Sequence, residues 1–275
     1  MKMIMVFPKG KTKAVTFSYD DGCHSDIRLI ELMKKYGVRG TFNLNSSHFE
    51  GELNPNDVSL KEAKELYIEP DFEVAAHGYE HPFYPYMSPD SQTKDIMQDR
   101  INLEREFGKI VKGFAYPFGT YTKDTLNALR ASGISYARTV KSTYDFYLPS
   151  DWLELNPTCH HRDERIFELI DRFFNNPEPP WNPVRMLYIW GHAYEFDFNE
   201  PRNNWEHAEK LLQTLSGHDE VWYATNGEIY DYKMAYDRLV VNLDKTIIYN
   251  PTDRELWFRM DDKTYSVGSG ETLKL

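Results

Sequence analysis

The sequence predicts an α/β fold in which a parallel sheet nearly closes into a barrel, followed by a small antiparallel β appendage. Short apolar runs rich in β-forming residues alternate with amphipathic helical segments over most of the chain. Seven strands joined by right-handed crossovers are nearly enough to close a barrel. The alternation ends near residue 238, and only short β runs and turns follow.

The predicted strands of the barrel are short, and most are bounded by glycine, proline or a polar residue that can end a strand. Between consecutive strands lies enough chain for one helical crossover, which favours parallel over antiparallel pairing. The strands are predicted at 13–19, 38–44, 72–76, 112–116, 135–140, 185–190 and 220–224.

The helix boundaries follow from capping residues. Ser25, Ser59 and Thr122 can each cap a helix N-terminus, and Pro89 suits a first helical turn. Gly37 can end the first helix by adopting a left-handed conformation. The helices are predicted at 26–36, 60–67, 89–107, 123–131, 162–174, 203–215 and 227–239.

The change of pattern near residue 238 divides the chain into two parts. Residues 1–237 form the barrel domain and residues 238–275 form the β appendage. The appendage could cover a barrel end, contribute to a homo-oligomer or bind a partner. Its β runs are predicted at 240–243, 246–249, 256–259 and 264–267, with turns between them.

Composition excludes several classes of partner. The net charge of −11 argues against nucleic acid and against anionic membranes, because phosphate binding needs clustered Lys and Arg. No apolar run approaches the ~18 residues of a membrane-spanning helix, so we expect no membrane partner. The first residues do not resemble a signal peptide, and the two cysteines, Cys23 and Cys159, cannot form a disulfide framework. These observations predict a cytoplasmic protein.

Two pairs of polar residues stand at predicted strand ends. Asp20 and Asp21 follow one apolar run, and His77 and His81 close another. Since the carboxyl ends of parallel strands meet at one rim, we expect Asp21, His77 and His81 to form a three-ligand metal site. Two imidazoles and one carboxylate suit Zn²⁺ best, although iron, cobalt and nickel fit the same ligands.

Metal-assisted hydrolysis of an amide or ester needs a Lewis acid, a base and an acid. Asp20 is the candidate base that accepts a proton from the metal-activated water. His192, which ends the predicted strand 185–190, is the candidate acid. A buried structural role for His192 stays open, as do structural or substrate-lining roles for His160 and His161. The sequence therefore predicts a metal-dependent hydrolase.

Five segments resemble the motifs of the polysaccharide deacetylase (NodB-like) family, of the carbohydrate esterase type. Residues 16–22 resemble its first motif, and 77–81 resemble the second, which contains the histidine pair. Residues 114–119 and 187–192 resemble the third and fifth motifs, while 151–152 is a weaker match to the fourth. The motifs occur in family order, and the resemblance covers residues 10–235.

This resemblance implies a distorted (β/α)7-type barrel and hydrolysis of an N-acetyl or related carbon–nitrogen bond that is not a peptide bond. It assigns the base to Asp20, the acid to His192 and the metal ligands as above. The third motif implies a groove wall in which the backbone N–H of Phe118 helps to bind the oxyanion. The remaining substrate-contacting residues implied by the resemblance are Tyr116 and Pro117 in that wall, and Trp152 and Leu187 around the acyl methyl group.

One departure from the family pattern affects the substrate. The third motif usually carries an Arg that pairs with the catalytic carboxylate, whereas residues 113–116 contain none. Deacetylation of a small saccharide is the leading hypothesis, and hydrolysis of a small non-sugar amide is the alternative. A non-catalytic carbohydrate-binding relic of the fold is the third. An open aromatic groove would favour the sugar, and a closed pocket with an Arg or Lys clamp would favour a small acid.

Overall fold

The computed structural model describes residues 2–49, 55–177, 182–261 and 263–275. Its strands are β1 (Met3–Val6), β2 (Lys13–Asp20), β3 (Gly40–Leu44), β4 (Phe72–Ala76), β5 (Gly113–Ala115), β6 (Tyr136–Arg138), β7 (Cys159–His160), β8 (Arg185–Gly191), β9 (Val221–Tyr223), β10 (Val240–Val241), β11 (Ile247–Tyr249), β12 (Leu256–Met260), β13 (Lys263–Val267) and β14 (Thr272–Lys274). Its helices are α1 (Ser25–Tyr36), α2 (Leu60–Leu66), α3 (Pro89–Phe107), α4 (Lys123–Ala131), α5 (Ile166–Asn175), α6 (Trp205–Leu215) and α7 (Asn226–Tyr236).

The large sheet is parallel and curled. Its strands lie in the order β6-β5-β4-β3-β2-β8-β7, and β9 pairs with the first residues of β2. A parallel bridge between Arg138 and Leu155 lets the segment leading into β7 connect the two ends of the sheet. The predicted α/β fold with a barrel-like parallel sheet and small antiparallel sheets is therefore confirmed.

The helix ends follow the predicted capping residues in most places. Ser59 and Thr122 each accept a hydrogen bond from the third residue of their helices, and Gly37 ends α1 with a φ of 63°. Ser25 was predicted as a cap, and this prediction is wrong. It is the first residue of α1, and its hydroxyl donates to a carboxylate oxygen of Asp197 instead of accepting from the helix.

Three strands were not predicted: β1, β7 and β14, the last of which pairs antiparallel with β11. β7 is only two residues long, too short for a periodic pattern to be visible in the sequence. β1 pairs antiparallel with β12, with Met3 opposite Met260, so the start of the chain joins the small C-terminal sheet β1-β12-β13. The division at residue 238 therefore does not separate the sheets, because β1 lies on one side of it and β12 on the other.

The hydrophobic core has two regions. One fills the space between the barrel strands and their helices. The other lies at the opposite end from the strand C-termini, where Ala14 and Met186, early residues of β2 and β8, meet Phe258 of β12 and Ile229 of α7. The C-terminal sheets thus cover the end of the barrel at which the strands begin.

Among the described residues, no helix has the length and apolarity needed to cross a lipid bilayer.

Candidate active site

The C-terminal ends of three parallel strands bring the predicted catalytic residues together. Asp20 ends β2, His77 directly follows β4, and His192 follows β8. Nε2 of His77 and Nε2 of His192 each lie 3.8 Å from Oδ2 of Asp20. Asp21 and His81 complete the group, so one rim of the sheet holds all five predicted residues.

The three predicted metal ligands form a compact set. Nε2 of His77 lies 3.5 Å from Oδ1 of Asp21, and Nε2 of His81 lies 3.8 Å from the same oxygen. One donor atom from each residue fits within a 4.8 Å group. Two imidazole nitrogens and one carboxylate oxygen match the donor set of a catalytic divalent cation site.

The rings of His77 and His81 can each present a nitrogen lone pair to a cation. Nδ1 of His77 lies 2.8 Å from the carbonyl oxygen of Ala115, which can only accept, so Nδ1 donates and Nε2 carries the free lone pair. Burial, reinforced by the nearby His77, lowers the pKa of His81 to about 4. Nε2 of His77 is thus free of this hydrogen bond, and the lowered pKa of His81 favours a neutral ring that can bind a cation.

Arg138 is the partner of Asp20, and sequence reasoning missed it. Its guanidinium is completely buried and donates to Oδ2 of Asp20, while Nδ2 of Asn43 donates to Oδ1 at 2.8 Å. The guanidinium also lies over the ring of Trp190, 4.4 Å from its centroid. Burial raises the pKa of Asp20, but the charges of Arg138 and of nearby histidines outweigh burial and lower it overall. Asp20 is thus an oriented, ionised carboxylate.

Glu195 is the partner of His192, and it too was not predicted. Its Oε2 lies 3.3 Å from Nδ1 of His192, which directs Nε2 of His192 towards the aspartates. Burial lowers the pKa of His192, but the hydrogen bond to Glu195 and the charges of Asp20 and Asp21 outweigh it, so the net shift is upward. The geometry favours a protonated imidazole that can act as an acid.

Several basic groups surround the Glu195 carboxylate. Nε2 of His160 lies 3.0 Å from Oε2, and Nη1 of Arg162 lies 3.5 Å from Oε1. Burial raises the pKa of Glu195, but the hydrogen bonds from His160 and His192 lower it well below its ordinary value. His161 is fully buried, with its ring stacked on Phe196 at 4.2 Å. His160 therefore lines the site, and His161 is structural.

Helix α3 fixes the loop that carries His77 and His81, the two predicted ligand histidines. Oδ2 of Asp99 accepts the backbone N–H of His77 at 3.0 Å, and Oδ1 of Asp95 accepts that of Tyr79 at 3.2 Å. From the other side, Nδ2 of Asn45 donates to the carbonyl oxygen of His77 at 2.7 Å. Buried partners on both sides of the loop leave the ligands little freedom.

Three residues of the site have left-handed backbone conformations although none is glycine. The φ angles are 78° for Asp21, 52° for His81 and 56° for Phe118. Such angles are costly for side chains with a Cβ, and they persist only where the surroundings impose them. Their grouping at one rim shows that the backbone is constrained at the site.

A cavity of about 540 Å³ opens at this cluster. Tyr116, Phe118, Trp190 and His160 are among the residues that line it. Phe118 is 61% exposed and sits in a short 3-10 turn at a position whose N–H has no partner within the helix. Tyr116 is almost fully buried, with its hydroxyl donating to the carbonyl of Leu153 at 2.7 Å. Pro117 is buried beneath the same turn.

The structure does not bring Trp152 or Leu187 to this cavity. The Trp152 ring packs against Tyr230, with centroids 5.2 Å apart, and lines a separate depression. Leu187 lies opposite Val15 in the middle of the sheet and is fully buried in the core. Trp190, three residues further along β8, lines the cavity. The expectation failed because side chains three apart on a strand point to opposite faces.

Residues 8–137 match the family model described as polysaccharide deacetylase. This match confirms the predicted resemblance to the polysaccharide deacetylase family over residues 8–137. The matched segment contains Asp20, Asp21, His77, His81 and Phe118, whereas His192 lies beyond it.

A poly-β-1,6-N-acetyl-D-glucosamine N-deacetylase of Staphylococcus aureus is 26% identical over 163 residues, which are 52% of this chain and 54% of the relative. The chain thus spans about half the length of the curated relatives it matches.

Among solved structures, a Mycobacterium smegmatis protein assigned to the polysaccharide deacetylases aligns with a TM-score of 0.58 and 17% identity over 85% of this chain and 94% of the other. That similarity shows a shared fold. A Streptococcus pyogenes deacetylase in complex with acetate aligns with a TM-score of 0.47 and 23% identity over 50% of this chain and 61% of the other.

Proposed function

We propose that the protein is a metal-dependent hydrolase that removes N-acetyl or related acyl groups from a saccharide. One observation carries the proposal: the candidate base and the candidate acid, each held by a charged partner, lie together at the cluster of predicted metal ligands. Asp20 is held by Arg138, and His192 is held by Glu195, with Asp21 beside both. The match of residues 8–137 to the polysaccharide deacetylase family model supports the same chemistry.

Asp21, His77 and His81 would hold a divalent cation, with Zn²⁺ the best match to two imidazoles and a carboxylate. When bound, the cation supplies Lewis acidity, which lowers the pKa of water and polarises a carbonyl group. All other steps belong to side chains and backbone groups of this chain.

Asp20 accepts the proton of the attacking water. Asp20 is only 2% exposed. The orientation of its carboxylate is therefore set by the hydrogen bonds from Arg138 and Asn43, and not by bulk solvent. The lowered pKa keeps it ionised at neutral pH, and therefore able to act as a base.

His192 donates a proton to the departing nitrogen. Its Nδ1 faces Glu195, so Nε2 is the nitrogen that faces the reaction centre. The backbone N–H of Phe118 is proposed to stabilise the oxygen on which negative charge develops. Together these groups provide the base, the acid and the oxyanion donor that amide hydrolysis requires.

A saccharide suits the cavity better than a small acidic amide. A cationic clamp for a small acid would need a free Arg or Lys, but Arg162 lies 3.5 Å from the Glu195 carboxylate. The rim carries exposed aromatic rings, which are suited to the apolar faces of sugars. A non-catalytic relic is disfavoured because the paired base and acid are complete.

The first prediction tests the assigned roles of the ligands and the base. His81→Ala should lose bound metal and acetate release together, because two ligands hold a cation poorly. Asp20→Asn should retain the metal but lose at least about 100-fold in turnover, since it removes a general base. Both variants are checked for metal content, by inductively coupled plasma mass spectrometry, and for acetate release from N-acetylglucosamine oligomers.

His218→Ala is the matched control, because His218 lies between α6 and β9, outside the ligand cluster. It should leave metal content and turnover unchanged. Full metal content in His81→Ala, or wild-type turnover in Asp20→Asn, would overturn the corresponding role.

A further inference from the structure

We propose that Asn226, the first residue of α7, helps to position the candidate base Asp20 through a chain of buried polar side chains inside the barrel. We call Asn43, Ser18 and Tyr188, which connect the two, the polar column. The inference rests on the proposed deacetylase function and adds residues that determine how well the base is oriented.

The upper end of the polar column is the contact between Asn43 and Asp20, which lie opposite each other in the parallel pair of β2 and β3. Nδ2 of Asn43 donates to Oδ1 of Asp20 at 2.8 Å and to the hydroxyl oxygen of Ser18 at the same distance. The carbonyl oxygen of Tyr19 lies farther away, at 3.2 Å. Because a side-chain amide has only two N–H groups, the two nearer acceptors fix its plane. Ser18 therefore sets the direction from which Asn43 holds the base.

Tyr188 continues the polar column towards the other end of the barrel. It lies on β8, next to β2 in the sheet, and its side chain is fully buried. Nδ2 of Asn226 donates to the Tyr188 hydroxyl at 2.6 Å, and the same hydroxyl is hydrogen-bonded to Ser18. Two hydroxyl groups thus connect the amide of Asn226 with the amide of Asn43.

Asn226 is itself held in place by neighbouring strands. The Thr16 hydroxyl donates to its Oδ1 at 2.9 Å, and its backbone N–H donates to the Thr41 hydroxyl at 3.0 Å. The N–H of the next residue, Gly227, donates to a carboxylate oxygen of Glu73 at 2.8 Å. The N-terminus of α7 is therefore fixed to β2, β3 and β4, and it gives the polar column a rigid end.

The polar column is almost completely shielded from water. The exposed fractions are 0% for Ser18 and Tyr188, 1% for Asn43 and 2% for Asn226. A buried polar group that loses its partner cannot bond to solvent instead, so each member constrains its neighbours. A shift of Asn43 would turn the Asp20 carboxylate, and small displacements of a catalytic group strongly reduce the rate.

A purely structural role of the polar column leads to a different expectation. Loss of one of its hydrogen bonds would then lower the free energy of unfolding, but kcat of the folded protein would stay the same. Tyr188→Phe separates the two roles, because it removes one hydroxyl group and keeps the ring.

The test measures kcat, KM and metal content of Tyr188→Phe and Asn226→Ala, using metal-reconstituted protein and N-acetylglucosamine oligomers. In both variants kcat should fall about fivefold, the equivalent of one buried hydrogen bond. KM and metal content should stay at wild-type values, since the cavity lining and the predicted ligands are unchanged.

A double variant shows whether the effect passes through the base. In the Asp20→Asn background, Tyr188→Phe should cause no further loss of kcat, because a residue that acts through Asp20 has no effect once the carboxylate is gone. Release of radiolabelled acetate gives the sensitivity that these slow variants require.

Tyr232→Phe is the matched control, because its buried hydroxyl also has two partners, the backbone groups of Val6 and Trp257. It should lower the free energy of unfolding in urea and leave kcat unchanged. Wild-type kcat in Tyr188→Phe and Asn226→Ala, or a loss that persists in the Asp20→Asn background, would overturn the inference and leave the proposed function intact. Absence of acetate release from every sugar would overturn both.

Discussion

At the scale of single residues, Arg138 accounts for the missing arginine of the third motif. The guanidinium reaches Asp20 from the end of β6 instead of from residues 113–116, and it is completely buried. A buried carboxylate without a partner would take up a proton rather than stay ionised. Arg138 therefore supplies the buried cationic partner of Asp20 from the next strand of the sheet.

Asp26 provides a prediction about pH and stability. It is fully buried in the first turn of α1, and the Tyr67 hydroxyl donates to it at 2.5 Å. Burial raises its pKa from 3.8 to about 7. Because the folded pKa is the higher one, the folded state binds more protons between these values. Its contribution to the free energy of unfolding is therefore complete below pH 4 and is lost as pH rises to 7.

Asp26→Asn should remove this loss, since the amide cannot ionise and its oxygen can still accept from Tyr67. As the pH rises through this range, the free energy of unfolding of wild type should fall by up to about 1.4 kcal/mol per pH unit more than that of the variant. Urea unfolding of both proteins at pH 5 and pH 8 measures the difference. Parallel stability profiles would show that Asp26 is not responsible.

The sequence predicted Asp20, His77 and His192 because each follows an apolar run that forms a parallel strand. Arg138 carries the same signal, since it lies in the predicted strand 135–140. It was missed because a lone arginine is usually solvent-exposed, and only the folded sheet reveals its neighbour. Glu195 follows His192 by three residues, a spacing that could have suggested the pair. Trp152 was misplaced because motif order does not determine which way a side chain points.

At the scale of elements, α3 positions the predicted metal ligands without contributing one. Asp95 and Asp99 are four residues apart and therefore lie on one helix face. Both accept backbone N–H groups of the loop that carries His77 and His81. Asp99 is fully buried, and this burial raises its pKa to about 7.

Asp99→Asn should weaken metal binding, because its amide would place a donor against a backbone N–H of Ser46 or His77. Removal of a supporting partner of this kind typically costs about 10- to 100-fold in metal affinity. Competition with a chelating dye gives the dissociation constant, and circular dichroism checks the fold.

Lys94→Ala is the matched control, since Lys94 lies on the exposed face of α3. It should leave the dissociation constant unchanged. Equal metal affinities of wild type and Asp99→Asn would mean that the loop is held without Asp99.

Element prediction succeeded where apolar runs were long enough to show a period. The strand predicted at 185–190 became β8, and the helix predicted at 123–131 became α4. The helix predicted at 162–174 begins only at Ile166, because the chain is bonded to the backbone of β8 as far as His161 and then passes through turns before the helix starts. Pairing with a distant strand is invisible in a local pattern.

At the scale of the whole molecule, the C-terminal sheets close the barrel at the end away from the site. The hydroxyl of Tyr232 in α7 donates to the carbonyl of Val6 at 2.8 Å and accepts the N–H of Trp257 at 2.9 Å. One side chain thereby joins β1, β12 and the last helix of the barrel. These sheets stabilise the barrel, and we expect them to leave the chemistry unaffected.

Phe258→Ala tests whether the C-terminal sheets stabilise the protein without affecting its chemistry. Phe258 is fully buried among residues of both the barrel and the small sheets, and truncation of such a ring costs about 3–5 kcal/mol. The melting temperature should fall markedly, while metal content and turnover of the folded protein at low temperature should match wild type.

Leu243→Ala is the control for this variant, since Leu243 is fully exposed in the same C-terminal part. It should leave the melting temperature unchanged. A large loss of turnover in Phe258→Ala protein that remains folded would show that the C-terminal sheets influence the site.

The pairing of β1 with β12 has a consequence for biosynthesis. During translation Met3 leaves the ribosome early, whereas its partner Met260 emerges only after every strand of the barrel. Until then the apolar residues that β12 covers stay accessible, and nascent chains with such surfaces associate readily with one another. Long-range pairing of this kind also slows folding. Production of this protein should therefore benefit from slow translation or from chaperones that shield the unfinished barrel.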